Sequence, residues 1–130
     1  MEDLDYKMQK KATEDQLNNR EKLNKLFESS PMPIDHKMIN LGLYMRSSVL
    51  SKTLYINELY EMIVDLPGSI MEFGSWYGTN LALFESLRAI YDPYNYTRKV
   101  IGFDTYDGYD NISEEDGKND LVKEGQYNTP

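Results

Sequence analysis

The stretch SIMEFGSWYGTN, Ser69 to Asn80, decides the fold. Ser69 to Phe73 is short and apolar on both sides of Glu72, which predicts a buried parallel strand. Gly74 and Gly78 then bracket Ser75, Trp76 and Tyr77. In the following run, TNLALFESLRAIY, the residues Leu83, Phe84, Leu87, Ile90 and Tyr91 recur at helical spacing, and Asp92 and Pro93 end it. RKVIGFDTYDGY supplies a second strand, Lys99 to Phe103, which closes on Asp104. A strand, a helix and a second strand imply an α/β fold with parallel strands joined by a right-handed crossover.

A strand that feeds a glycine turn into a helix has a chemical use. The first turn of the helix leaves backbone N–H groups unpaired, and the helix dipole makes that end positive. Glycines let a ligand approach the backbone closely. An acid at the end of the next strand can accept hydrogen bonds from a ribose diol. Gly74, Gly78 and Asp104 hold these places in order. The spacing is neither the dinucleotide fingerprint G-x-G-x-x-G nor a phosphate loop, since no Gly-Lys-Ser/Thr follows. Glu72, just before the loop, is awkward for a pyrophosphate and suits a ligand with an ammonium group. S-adenosylmethionine has an amino-acid end, a sulfonium and a ribose, and so fits better than NAD. The competing reading is a tight strand-to-helix turn with Glu72 in a salt bridge nearby.

The rest of the chain bounds this reading. Residues 1–35 form a charged arm, helical or partly ordered, with a sparse apolar stripe of Leu4, Met8, Leu17, Leu23, Leu26 and Phe27. Pro31 and Pro33 break it. From Lys37 to Leu66 the apolar density rises, and Leu50, Leu54, Leu59, Tyr60, Ile63 and Leu66 at helical spacing predict a long amphipathic helix, stopped by Pro67 and Gly68. Several of the eleven tyrosines cluster in YDPYNYTR, residues 91–98, a loop expected to pack its rings. The net charge of −8 argues against nucleic acid as the main partner. No cysteine is present, which removes disulfides, thiolate metal sites and a cysteine nucleophile. The first residues carry no apolar run of a signal peptide, and no stretch approaches a membrane span. A cytoplasmic protein without membrane contact is the expectation.

Residues 68–109, GSIMEFGSWYGTNLALFESLRAIYDPYNYTRKVIGFDTYDGY, resemble the macrocin O-methyltransferase (TylF-type) family. These are class I S-adenosylmethionine-dependent methyltransferases, several of which methylate hydroxyls on deoxysugars. The upstream LYMRSSVLSKTLYINELYEMIVDLPGS and the terminal DGKNDLVKEGQYNTP share the resemblance, which runs from about Leu41 to Pro130. It implies a Rossmann-like fold and a role for each matching residue. Glu72, Gly74 and Gly78 would form the loop around the methionine part of the cofactor, lined by Ser75 and Trp76. Asp104 would hold the ribose hydroxyls, with Thr105 and Tyr106 near the ribose or adenine. Arg46 is a weaker candidate for the same pocket and reads equally well as a surface arginine.

The family's sheet has more strands than the two read here, so residues 36–130 are expected to be the N-terminal half of a methyltransferase domain. In the family a divalent metal, usually magnesium, and a general base come from aspartates on later strands. No catalytic base or metal ligand is therefore assigned in this chain. The acidic run Asp104, Asp107, Asp110, Glu114, Glu115, Asp116 and Asp120 fits no calcium-loop register, and His36 reads as part of a helix start. The expected function is a hydroxyl methyltransferase, truncated to its cofactor-binding half, with a small-molecule acceptor. The alternatives are an inactive binding or oligomerisation module, a homo-oligomer or a complement to a C-terminal half, and a dehydrogenase, against which the missing third glycine argues.

Overall fold

The structure is a computed structural model that describes residues 12–109, 111–113, 125 and 127–129. Of the residues named above, Leu4, Met8, Asp110, Glu114, Glu115, Asp116 and Asp120 lie outside these. The elements are α1 (Glu14–Ser29), α2 (Ile34–Ile39), a 3₁₀ turn (Leu41–Leu43), α3 (Ser47–Glu61), β1 (Ile70–Phe73), α4 (Thr79–Tyr91) and β2 (Val100–Phe103). They fall into two compact units, with the division between Lys52 and Thr53 inside α3. Among the described residues no helix is long and apolar enough to cross a membrane.

In the first unit, α1 begins at a capping box. The Thr13 hydroxyl accepts from the Gln16 N–H, and the Gln16 side chain accepts from the Thr13 N–H. Two of the helix's orphan donors are satisfied this way. Past the proline break, Lys37 of α2 is buried. Its ammonium donates to the Phe27 carbonyl at 2.5 Å and lies 5.0 Å from the Phe27 ring centre. Tyr44 meets the same ring edge-on at 5.0 Å.

The long amphipathic helix expected before Pro67 is α3, and the short α2 and the 3₁₀ turn precede it. The Asn40 side chain donates to the His36 carbonyl, which offers the backbone an alternative to helical pairing, and Gly42 beyond it is a poor helix former. Helix α3 begins at Ser47 and ends at Glu61, short of Leu66. The early end has a tertiary cause. The Arg98 guanidinium donates to the carbonyls of Ile63, Val64 and Leu66 at 2.8, 3.1 and 2.8 Å, and so holds this stretch as turns.

In the second unit β1 and β2 pair in parallel, with Ile70 opposite Val100, Glu72 opposite Gly102 and Phe73 opposite Phe103. The strands are short, and α4 is the connection between them. Tyr60, Ile56 and Leu87 form the core, with Leu59, Ile63, Val64, Ile70, Leu83 and Phe84 packed around them. Tyr60 is fully buried, and its hydroxyl donates to Asp92. Burial first, and the Asp92 hydrogen bond second, push the Tyr60 phenol up to about 12. Arg98 is also buried and pairs with Asp92 at 2.8 Å. Burial pushes the Asp92 carboxyl up, but hydrogen bonds from Tyr60, Arg98 and Asn95 outweigh it and leave the group below its ordinary value.

One face of the sheet carries Met71, Phe73 and Phe103 and stays exposed, with Phe73 and Phe103 stacked at 4.9 Å. The tyrosine loop differs from expectation. Tyr94 and Tyr96 are 83% and 81% exposed, so these rings project into solvent rather than pack.

Candidate cofactor site

Alternation along β1 turns Ile70 and Glu72 to one side of the sheet and Met71 and Phe73 to the other. Glu72 is half-buried and its Oε1 accepts from the Asn80 side chain in the first turn of α4. Opposite it, Gly102 marks a close approach. A Cβ built there would lie 2.4 Å from Leu81 Cδ1 and 2.6 Å from Ser75 Oγ. Only glycine lets α4 and its loop lie this near to β2.

The loop itself depends on left-handed backbone. Gly74 and Gly78 have φ of 81° and 74°, and Trp76 between them has φ of 49°. The Gly74 N–H extends the ladder by donating to the Phe103 carbonyl, and the Gly78 N–H closes the turn onto the Ser75 carbonyl, each at 2.8 Å. Gly78 then caps α4 without a side-chain hydrogen bond. The positive end of α4 therefore faces the loop without a side-chain cap.

Asp104 ties the loop to the end of β2. The Trp76 N–H donates to one carboxylate oxygen at 2.6 Å, and the Tyr106 N–H donates to the other at 2.7 Å. These two bonds, Trp76 first, hold the Asp104 carboxyl below its ordinary value. Beside it a cavity of about 800 Å³ opens at the carboxyl ends of both strands. That is where ligands bind in open α/β sheets, and the volume lies in the range of ligand pockets.

The structure brings Gly74, Trp76, Asp104, Thr105 and Tyr106 together as lining of this cavity. Ser75 and Gly78 line a smaller hollow next to it, which Trp76 and Tyr106 share. Glu72 is not among the lining residues and stands behind the loop. There Glu72 Oε2, Asn80 Oδ1 and Ser75 Oγ are buried oxygens without a hydrogen-bond partner. Arg46 belongs to the other unit, where its carbonyl accepts from the Val49 and Leu50 N–H groups at the start of α3. Among the described residues no three His, Asp or Glu side chains gather as a metal site would require.

No protein-family model matches the chain, and no curated protein matches it. Solved structures do. The crystal structure of CalS11, a calicheamicin methyltransferase, is 33% identical with a TM-score of 0.86, over 92% of this chain and 46% of that one. The apo structure of CalS11, described as a TDP-rhamnose 3′-O-methyltransferase of calicheamicin biosynthesis, is 37% identical with a TM-score of 0.70, over 73% of this chain and 40% of that one. The fold is that of part of a methyltransferase. The chain spans about half the length, or less, of the solved structures it matches.

Within this methyltransferase fold, sequence reasoning missed Asn80, the partner of Glu72, and the lining residues Phe73, Gly102, Phe103, Gly108, Tyr109 and Tyr127. Gly102 carried a usable signal, because a glycine inside an apolar strand marks a bulge or a close approach. Tyr127 carried none. It comes after a long polar stretch without strand or helix periodicity.

Proposed function

We propose that this chain carries the S-adenosylmethionine side of an O-methyltransferase that acts on a hydroxyl of a sugar or another small molecule. The observation that carries the reading is the Asp104 carboxylate, fixed by the Trp76 and Tyr106 N–H groups beside a large cavity at the strand ends. The likeness to CalS11 supports methyl transfer to a sugar oxygen, and the macrocin O-methyltransferase resemblance agrees with it.

The residues fit the cofactor. A carboxylate has about four acceptor sites, and the two backbone amides leave capacity for a ribose diol. The Glu72 and Asn80 oxygens without partners lie behind the loop and do not line the cavity, so the fit rests on Asp104 and the glycine loop. Bound S-adenosylmethionine supplies an electrophilic methyl group on a sulfonium. The chain's own residues then bind and orient. Gly74 and Gly78 let the ligand lie close to the backbone, Trp76 and Tyr106 shield it from water, and Asp104 fixes the ribose. Such positioning is a large part of what a transfer between two bound groups needs. No described residue is assigned as general base or metal ligand, and magnesium enters only through the family resemblance.

Calorimetric titration of the full chain with S-adenosylmethionine tests the reading. Binding is expected, and Asp104→Ala is expected to weaken it by about tenfold or more, since a bond to a charged group is lost. Absence of binding at millimolar ligand, or an Asp104→Ala variant that binds as the parent does, would sink it.

A further inference from the structure

The cavity has one wall that neither the glycine loop nor β2 supplies. Tyr127 returns to it from far along the chain. The Gly125 N–H donates to the Tyr109 carbonyl at 2.8 Å and the Thr129 N–H to the Tyr106 carbonyl at 2.9 Å, so the backbone on both sides of Tyr127 is pinned to the loop after β2. Its ring stands edge-on to Trp76 at 6.0 Å and to Tyr109 at 5.5 Å, with interplanar angles of 88° and 85°. All three rings line the cavity.

The backbone adds an independent observation. Among the described residues, the non-glycines with positive φ are Trp76, Tyr106, Asn111 and Tyr127, and all but Asn111 line this cavity. Left-handed backbone is unfavourable for a bulky L-residue, and asparagine or glycine takes it more easily. Edge-on ring packing alone does not require it. Strained backbone persists where the surrounding structure imposes it, and it clusters at ligand sites.

We infer that Tyr127 is a ligand-contacting residue, its ring forming the outer wall against which the nucleoside end of the cofactor packs. The inference rests on the cofactor reading above. Asp104 fixes the ribose, and the base joined to that ribose is flat, with a π-face that an aromatic ring can cover.

Two variants separate ring from backbone. Tyr127→Phe keeps the ring, and Tyr127→Asn removes it while accepting the left-handed conformation. Calorimetry on the full chain uses S-adenosylmethionine and S-adenosylhomocysteine, which share the nucleoside and differ in the charge on sulfur. Tyr127→Phe is expected to bind both within about twofold of the parent, and Tyr127→Asn to lose about tenfold for both, as for a lost base–aromatic stack. If Tyr127→Asn melts far below the parent, Tyr127→Leu, which keeps the bulk without the flat ring, gives the same reading. Equal binding by the variants lacking the ring, with Asp104→Ala still impaired, overturns the role of Tyr127 and leaves the cofactor reading standing. A loss for S-adenosylmethionine alone overturns it too, since the ring would then be sensing charge. Binding of neither ligand by the parent chain removes the cofactor reading and this inference with it.

Discussion

Asp92 precedes β2 and Asp104 follows it, and their partners differ in kind. Asp92 accepts from the side chains of Tyr60, Asn95 and Arg98, drawn from α3 and from the loop before β2. The side chains of the Arg98–Asp92 pair are 2% and 11% exposed, so this end of the strand is shut. Asp104 accepts from backbone N–H groups of two loops and borders a cavity. A carboxylate filled by converging side chains fixes a structure. One held by amides from behind stays able to accept more. The same residue type thus serves as an anchor before a four-residue strand and, under the proposed function, as a receptor after it.

The strongest way to break this comparison is to remove the anchor. Arg98→Ala leaves Asp92 buried without its cation and frees three carbonyls after α3. We expect a loss of about 3–5 kcal/mol in urea unfolding, as for a broken buried pair. Asp104→Ala should lose far less stability in the same assay and most of its ligand affinity. Equal losses of stability in the two variants would erase the distinction.

Gly102 lies between the two ends, and its substitution should touch both. Gly102→Ala drives a methyl against Leu81 and Ser75, with an expected destabilisation of about 1–3 kcal/mol from overpacking. Because Ser75 belongs to the loop, ligand affinity should fall as well. A variant as stable as the parent would show that α4 is not held as close to β2 as described.

The smallest effect is in acid. Both carboxyls are held below their ordinary value, so each contributes stability that is complete above that value and is lost as pH falls through the lowered one. The melting temperature should therefore fall as pH drops below about 4. The fall should be shallower in Arg98→Ala, where Asp92 has lost its cation. An identical slope in parent and variant would contradict the pairing.

Much of the fold was legible because it rests on local signals. The strands expected at 69–73 and 99–103 occur at Ile70–Phe73 and Val100–Phe103, and α4 runs from the residue after Gly78 to the residue before Asp92. The end of the long helix was placed too late, at Leu66 rather than Glu61, because Arg98 sets it and periodicity does not register that contact. In the candidate site, Gly74 and Asp104 were legible as a turn residue and as an acid closing a strand. Asn80 and Tyr127 were not, since each owes its place to a contact made by the folded chain.

Trp76 has a consequence for how this molecule can be watched. It is the only tryptophan in the chain, and its backbone N–H is bonded to Asp104 while its ring lines the cavity. All indole emission therefore originates at the mouth between the two strands. Excited at the red edge of its absorption, where the eleven tyrosines contribute little, the unlabelled protein emits from that loop, so filling or collapse of the cavity can be followed optically without adding a dye.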